Sequence, residues 1–236
     1  MEPSTSTRNP FSAAAVSGGR LPYFFTEPSV EKDLLHELDR QQWVGQIVGP
    51  HGSGKTTLTH HLWTYAQARF PSLVQVTIRG SKNVQRRVTG GDSPCLFVVD
   101  GIERLSLVDR WLLIGRFSCG GAQRRGRAGR RDGLLVTCHR ALPWLPKVFE
   151  TSFDEVLLNR VTKELLWGSI RIDIHDGDDD VFSGRQWKDF SRALVQRHGS
   201  NGREILMEMY DRYEAAFCKK HVPIIPLPLS KAGVEN

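Results

Sequence analysis

The stretch Gly49-Pro50-His51-Gly52-Ser53-Gly54-Lys55-Thr56 matches the phosphate-binding pattern G-x-x-x-x-G-K-[ST]. The apolar run Trp43–Val48 precedes it, and a helical pattern from Thr56 to Arg69 follows it. A strand that enters a tight glycine-rich turn points successive backbone N–H groups at phosphate oxygens, and the next helix adds the positive end of its dipole. The pattern therefore predicts a nucleotide site made by residues 49–57, the last of which is Thr57. In this site Lys55 carries a positive charge for the β- and γ-phosphates, and the Thr56 hydroxyl is a ligand for Mg²⁺.

A second acidic element follows this loop. The run Cys95-Leu96-Phe97-Val98-Val99-Asp100 is apolar up to its last residue, which predicts a buried strand with a carboxylate at its tip. A site that hydrolyses nucleotide needs such an acid on the metal side, and Asp100 is the candidate. Hydrolysis also needs a group that orients water. Gly101 stands directly after Asp100, so Glu103 is the nearest acid for that role; the alternative is that Glu103 complements the positive end of a helix.

Strand-like segments alternate with helical patterns along most of the chain. A first helix is predicted over Pro28–Arg40, and further helical patterns cover about residues 55–69, 104–117 and 161–170. Alternation of this kind predicts an α/β fold with a doubly wound parallel sheet. The five predicted strands are Trp43–Val48, Leu73–Ile78, Cys95–Asp100, Leu134–Cys138 and Phe153–Leu158.

The composition predicts four regions. Residues 1–27 are rich in Ser, Thr, Ala, Pro and Gly and form an irregular arm with apolar anchors. Residues 28–172 form the nucleotide-binding core. Residues 173–220 contain an acidic connector and two helical segments, at about 184–198 and 202–217, that make a small helical lid. The proline-rich residues 221–236 form a tail.

Length and composition indicate one medium-sized domain, or a core with a small appendage. The chain has 236 residues, of which 39% are hydrophobic and 25% charged, as in soluble globular proteins. No stretch of 18 apolar residues occurs, so no membrane span is expected, and the first residues lack the pattern of a secretory signal. The four cysteines have no C-x-x-C spacing, which favours reduced thiols and a cytoplasmic location; they are Cys95, Cys119, Cys138 and Cys218.

Together, these features resemble the AAA+ ATPases and their signal-transduction relatives with an additional strand. The resemblance rests on the Walker A loop at residues 49–56, on Asp100 and on the helical appendage, and it covers about residues 40–217. It implies a five-stranded, mainly parallel sheet in the order 5-1-4-3-2 with a C-terminal helical lid, and it implies ATP and Mg²⁺ as cofactors. In that class, polar residues after the fourth strand sense the γ-phosphate, which makes Thr137 or His139 the candidate. The alternative is that they are ordinary polar residues at a strand exit.

The appendage contains a further resemblance to that class. The run Ser200-Asn201-Gly202-Arg203-Glu204-Ile205-Leu206 resembles the pattern around the second sensor. The resemblance implies that Arg203 opens a lid helix and contacts the γ-phosphate. The alternative is an exposed arginine at a helix start.

Positive charge is concentrated in one segment between the third and fourth strands. The net charge of +6 falls to +1 without the five arginines that lie within residues 124–131. Guanidinium groups on a glycine-rich backbone can neutralise phosphates without reading a sequence, so nucleic acid is a candidate partner. A solvated loop, or an arginine supplied to the nucleotide of a neighbouring subunit, is the alternative. The arginines are Arg124, Arg125, Arg127, Arg130 and Arg131.

We therefore expect an Mg²⁺-dependent ATP-binding protein, an ATPase that acts as a conformational switch or as a remodeller of a partner. Nucleic acid, a protein partner and further copies of the chain are the candidate partners. Two alternatives stay open. A small-molecule or nucleoside kinase uses the same loop, and only the effect of an acceptor on ADP formation distinguishes it. A nucleotide-gated module without hydrolysis is favoured by Gly101 in place of an acid.

Overall fold

The structure is a computed structural model that describes residues 9–13, 21–78, 93–118, 132–169 and 185–219. The chain divides into two compact units. One unit, here the nucleotide-binding unit, comprises residues 25–152. The other, here the helical unit, comprises residues 1–24 together with residues 153–236.

Five strands and six α-helices occur in the described ranges. The strands are β1 Val44–Val48, β2 Ser72–Thr77, β3 Cys95–Asp100, β4 Gly133–Cys138 and β5 Lys147–Glu150. The helices are α1 Pro28–Arg40, α2 Lys55–Ala66, α3 Leu107–Ser118, α4 Glu155–Ser169, α5 Arg185–His198 and α6 Gly202–Lys219. A short 3-10 turn, Ile102–Arg104, connects β3 to the segment before α3.

The strands form one parallel sheet in the order β2-β3-β4-β1-β5. This is the expected order 5-1-4-3-2, so the predicted α/β fold is confirmed. The register aligns Val48 of β1 with Cys138 of β4 and aligns Asp100 of β3 with Thr137 of β4. The carboxyl ends of the three central strands therefore meet at one edge, where ligands bind in open α/β sheets.

The location predicted for the fifth strand is wrong. The fifth strand is Lys147–Glu150, and the predicted segment Phe153–Leu158 runs into helix α4 instead. The Asp154 carboxylate accepts a hydrogen bond from the backbone N–H of Leu157 at 2.8 Å, which satisfies one of the free donors of the first helical turn. Leu158, Val161 and Leu165 then recur on one buried face of the helix. The short run Val156-Leu157-Leu158 fits a strand equally well, and only the cap and the burial decide it.

Each unit has its own hydrophobic core. In the nucleotide-binding unit the core includes Phe97, Val99, Leu134 and Val136, which are buried on the continuously apolar strands β3 and β4. Such strands are covered on both faces of a parallel sheet.

The core of the helical unit contains Trp187, Ile205 and Met209 together with Phe11 of the N-terminal arm. Asn9 fastens the arm, because its Nδ2 donates to the Tyr210 carbonyl at 3.2 Å and to a Glu214 carboxylate oxygen at 2.8 Å.

Candidate nucleotide-binding site

The P-loop, residues 49–57, connects the end of β1 to the start of α2. Gly54 adopts a φ of 89°, in the left-handed region that glycine tolerates best, and the helix begins at the next residue. Ser53 is fully buried and stabilises the loop from inside: its Oγ donates to the Pro50 carbonyl at 2.9 Å and lies 2.6 Å from Thr151 Oγ1. Ser53 therefore holds the loop in shape through a residue that follows β5.

The first turn of α2 is open to an anion. Gly54 has no side chain to cap the helix, and no acidic residue lies in the first turn. No side chain of this turn therefore accepts hydrogen bonds from its backbone N–H groups or balances the positive end of the helix dipole. Helix N-termini of this kind commonly bind phosphate. Thr56 is exposed and Thr57 is half-buried in the same turn. The backbone N–H groups of this turn fit a nucleotide phosphate, and the Thr56 hydroxyl fits a bound Mg²⁺.

Lys55 is almost fully buried, with 9% of its surface exposed. Its Nζ donates to the Gly49 carbonyl at 2.6 Å and to the Pro50 carbonyl at 2.5 Å. Burial lowers the pKa of Lys55, and the negative charges of Asp100 and Glu103 partly oppose that shift. The ammonium thus rests on loop carbonyls in a site that carries two carboxylates, and phosphate oxygens can replace those carbonyls as its partners.

Asp100 ends β3 and is held by its neighbour in the sheet. The Thr137 hydroxyl donates to Asp100 Oδ1, and Thr137 itself is buried at the carboxyl end of β4. One carboxylate oxygen is therefore oriented by the sheet. Thr137, a predicted γ-phosphate sensor, is thus hydrogen-bonded to the predicted metal-side acid.

Glu103 and His139 lie in contact beside the loop. Gly101, at a φ of 79°, turns the chain into the 3-10 turn that contains Glu103. Glu103 Oε1 lies 3.1 Å from His139 Nε2, and His139 Nδ1 lies 3.2 Å from the Gly49 carbonyl oxygen. The His51 ring stands against the His139 ring at a centroid distance of 3.7 Å. Desolvation lowers the pKa of His51, and neighbouring His139 and Lys55 lower it further.

Two features of this site escaped the sequence reasoning. The first is the contact between Ser53 and Thr151, and the second is the close, tilted packing of the His51 ring against the His139 ring. A usable signal existed for the second, because both histidines follow the carboxyl ends of strands that the predicted order makes neighbours. Nothing in the local pattern singles out Thr151.

The described residues of the nucleotide-binding unit do not include the other predicted site residues. Arg203 is exposed in the first turn of α6, in the helical unit. The five arginines within residues 124–131 lie outside the described residues.

Metal binding by side chains alone has no support in the described part of the chain. Within it, no group of three or more His, Cys, Asp and Glu side chains is arranged to hold a metal ion. A P-loop magnesium site does not need one, because Mg²⁺ keeps several waters and takes one or two protein ligands plus phosphate oxygens. Thr56 and Asp100 fit that smaller requirement. The helices in the described ranges are all too short or too polar to cross a membrane.

No model of a known protein family matches the chain, and no curated protein matches it. Solved structures do share its fold. The Drosophila ORC bound to DNA matches with a TM-score of 0.55 at 15% identity, over 92% of this chain and 62% of that one. The Thermotoga maritima RuvB Holliday junction branch migration motor matches with a TM-score of 0.51 at 16% identity, over 85% and 66%. The Aeropyrum pernix Orc1 protein in complex with DNA matches with a TM-score of 0.56 at 14% identity, over 85% and 63%.

These likenesses show the fold of the AAA+ P-loop ATPases, as the sequence resemblance implied. This chain spans about two thirds of the length of these three structures, or slightly less.

Proposed function

We propose that this chain binds ATP with Mg²⁺ in the P-loop and hydrolyses it, and that the nucleotide acts as a switch for a partner. One observation carries the proposal: the buried Lys55 ammonium lies under the electrostatic influence of Asp100 and Glu103 at the open start of α2. Burying an ammonium costs free energy, and the charges of the two carboxylates offset that cost only in part. A triphosphate with its metal ion accounts for all three groups together.

The P-loop residues bind the phosphates in this proposal. Backbone N–H groups of residues 49–57 and the Lys55 ammonium hold the β- and γ-phosphate oxygens. Thr56 and Asp100 hold Mg²⁺, and the Thr137 hydroxyl fixes the Asp100 carboxylate. Bound Mg²⁺ supplies charge neutralisation on the phosphate oxygens.

Hydrolysis requires a carboxylate that orients water and accepts its proton. Glu103 is our candidate, since its charge acts on Lys55 and since its Oε2 is buried without a hydrogen-bond partner among the described residues. An acceptor left open in this way suits an incoming water molecule. We assign the sensing of the γ-phosphate to Thr137, which contacts Asp100, or to His139, which contacts the loop at Gly49. We assign Arg203 to the closing of the helical lid.

Nucleic acid is the partner class that we propose for this switch. The support is the concentration of arginines within residues 124–131. Two of the structural neighbours are described as DNA complexes, and a third as a Holliday junction motor. A phosphate-binding segment of this kind predicts a salt-sensitive, sequence-independent stimulation of hydrolysis.

The decisive experiment measures ATP binding and ADP formation with Mg²⁺, with and without DNA or RNA. Lys55→Met is the test variant, and Lys32→Met, at an exposed position on α1, is its matched control. We expect turnover in the wild type and in the control, and none in Lys55→Met. ADP formation that requires a small-molecule acceptor would indicate a kinase. Tight ATP binding with no turnover under any condition would indicate a nucleotide-gated module and contradict the ATPase.

A further inference from the structure

Two buried hydroxyl groups meet where the P-loop passes the end of β5. Ser53 is 0% exposed and Thr151 is 1% exposed. Ser53 Oγ lies 2.6 Å from Thr151 Oγ1, and it lies 2.9 Å from the Pro50 carbonyl oxygen, to which it donates. Because both side chains are buried, each hydroxyl depends on the protein for its hydrogen-bond partners.

Thr151 is held by the sheet rather than by the loop. Its backbone N–H donates to the Val48 carbonyl at 2.8 Å, which continues the pairing of β5 with β1 by one residue. A Cβ added at Gly49 would lie 2.2 Å from Thr151 Oγ1 and 2.8 Å from Ser53 Oγ, so the loop backbone passes this hydroxyl pair at a distance that only glycine permits. The sheet therefore places the Thr151 hydroxyl directly against the first residue of the P-loop.

The two hydroxyl protons can be arranged in two ways. In the first, Thr151 donates to Ser53 and Ser53 donates to the Pro50 carbonyl. In the second, Ser53 donates to Thr151, and Thr151 donates to the Val48 carbonyl at the longer distance of 3.3 Å. Each hydroxyl has a single hydrogen, so the two arrangements exclude each other, but the bond between the two hydroxyls is present in both.

Lys55 decides which arrangement the loop needs. Without a ligand its Nζ donates to the Gly49 carbonyl at 2.6 Å and to the Pro50 carbonyl at 2.5 Å, so Pro50 does not depend on Ser53. When the ammonium turns to a phosphate, the Pro50 carbonyl keeps only the Ser53 donor, and the first arrangement is required. The loop also loses both of the contacts through which Lys55 held it. The bond between Ser53 and Thr151 then has to keep the loop in its phosphate-binding shape.

We propose that Thr151 is a positioning residue for phosphate binding, whose hydroxyl donates to Ser53 and so fastens the occupied P-loop to the sheet. This inference rests on the proposed function, because it takes the P-loop as a triphosphate site. Thr151 touches no phosphate in this proposal. It raises affinity by increasing the fraction of molecules whose loop already has the binding shape.

Binding of inorganic tripolyphosphate with Mg²⁺ to the full-length protein tests the proposal, since this probe occupies a phosphate site without a base or a sugar. Thr151→Val keeps the branched shape and removes the hydroxyl, and calorimetric titration should show affinity lower by about 5- to 30-fold. Thr151→Ser keeps a donor and should bind as the wild type does. Thr64→Val is the matched control, because it removes an exposed threonine hydroxyl of α2 that donates to the His61 carbonyl.

Kinetics with ATP give a second measure of Thr151→Val. The KM should rise by the same factor as the dissociation constant while kcat at saturating ATP stays unchanged, because the fastening acts on binding and not on the chemical step. Unchanged affinity in folded Thr151→Val would overturn the proposal, and so would an equal loss in Thr151→Ser.

Ser53→Ala breaks the same bond from the loop side and keeps the proposal testable if Thr151→Val does not fold. It should weaken tripolyphosphate binding, and Thr151→Val added to it should weaken binding no further, since the bond is already absent. Unchanged affinity in Ser53→Ala, or independent losses that add in the double variant, would overturn the proposal. A wild type that binds tripolyphosphate but never hydrolyses ATP would contradict the proposed hydrolysis and leave this inference standing. A wild type that binds neither tripolyphosphate nor ATP would overturn both.

Discussion

The two units of this chain use their charges in opposite ways. In the helical unit, Glu208 accepts hydrogen bonds from His198 Nε2 at 2.6 Å, from Arg197 at 2.6 Å and from Arg212 at 2.5 Å. In the nucleotide-binding unit, the buried ammonium of Lys55 has only two carbonyls as hydrogen-bond partners, and one oxygen of Glu103 has none in the described residues. A charge whose partners are all supplied by the protein stabilises the fold. A buried charge that lacks them costs stability and remains able to bind a ligand, so the two kinds of charge should respond differently to neutralisation.

The largest expected effect is that of Lys55→Met on nucleotide binding. We expect ATP affinity to fall by at least about 100-fold, because a buried charge contact to phosphate is worth several kcal/mol. The free energy of unfolding should stay unchanged or rise by about 1 kcal/mol, since the variant removes a desolvated ammonium. Both carbonyls that Lys55 contacts keep another donor, Ser53 Oγ at Pro50 and His139 at Gly49. Calorimetric titration with ATP measures the affinity, and unfolding in urea measures the stability. If Lys55→Met lost more than about 1 kcal/mol of stability, Lys55 would stabilise the fold as Glu208 does, and the two units would not differ in this respect.

Asp100→Asn should abolish the metal dependence of hydrolysis while the fold persists. The amide is nearly isosteric and can still accept the hydrogen bond from Thr137, but it lacks the charge that favours Mg²⁺. We expect kcat to fall by about 100-fold, and stability to change by less than about 1 kcal/mol. The matched control is Asp33→Asn at an exposed position on α1, which should behave as the wild type. Full activity of Asp100→Asn across a Mg²⁺ titration would remove Asp100 from the metal site.

Glu208→Gln should show the reverse pattern, with lost stability and retained hydrolysis. Burial acts to raise the pKa of Glu208, but hydrogen bonds from His198, Arg212 and Arg197 outweigh it and lower the pKa from 4.5 to about 2. A depressed carboxyl pKa contributes stability that is fully present above pH 4.5 and is lost as the pH falls toward 2. We expect the variant to lose roughly 2 kcal/mol at pH 7 and much less near pH 3.

Hydrogen exchange of peptides from α5 and α6 in increasing urea would measure the effect of Glu208→Gln in the helical unit itself. Glu204→Gln is the control, because its carboxylate is 58% exposed and lies 3.3 Å from His198, so its loss should cost under about 0.5 kcal/mol. Equal losses of stability in the two variants would mean that the paired Glu208 stabilises this unit no more than the exposed Glu204 does.

Features that depend on residues adjacent in the chain could be predicted from the sequence, whereas features that depend on tertiary packing could not. The strand before the P-loop, the loop and the start of α2 follow from residues adjacent in the chain, and β3 was predicted with its observed bounds, Cys95–Asp100. The sheet order followed from the family resemblance. The segment Phe153–Leu158 was misjudged because a short apolar run does not distinguish a buried strand from a buried helix. Asp154 and the packing of Leu158 decide that segment, and the packing is a tertiary property.

Contacts between distant residues mark the limit of sequence reasoning at the candidate site. His51 and His139 meet because β1 and β4 are parallel neighbours, with Val48 aligned to Cys138. Once the strand order is assumed, both histidines can be placed at the same edge of the sheet. The ring orientation, and the choice of Glu103 over other nearby groups as the partner of His139, depend on the left-handed turn at Gly101 and on atomic distances that no sequence pattern encodes.

The smallest predicted effect concerns that turn. Gly101 has a φ of 79°, and an added Cβ would come no closer than 3.4 Å to the Ile78 carbonyl oxygen. Gly101→Ala therefore costs backbone strain without a severe clash, about 1 kcal/mol. Gly115→Ala is the matched control, since it lies within α3 with no atom within 4 Å of the new Cβ, and alanine in a helix should stabilise by about 0.5 to 1 kcal/mol. Opposite signs of these two changes in urea unfolding would show that the turn demands glycine. An acid directly after Asp100 would meet the same strain, which gives a physical reason for the carboxylate to stand at Glu103 instead. A neutral or stabilising Gly101→Ala would remove that reason.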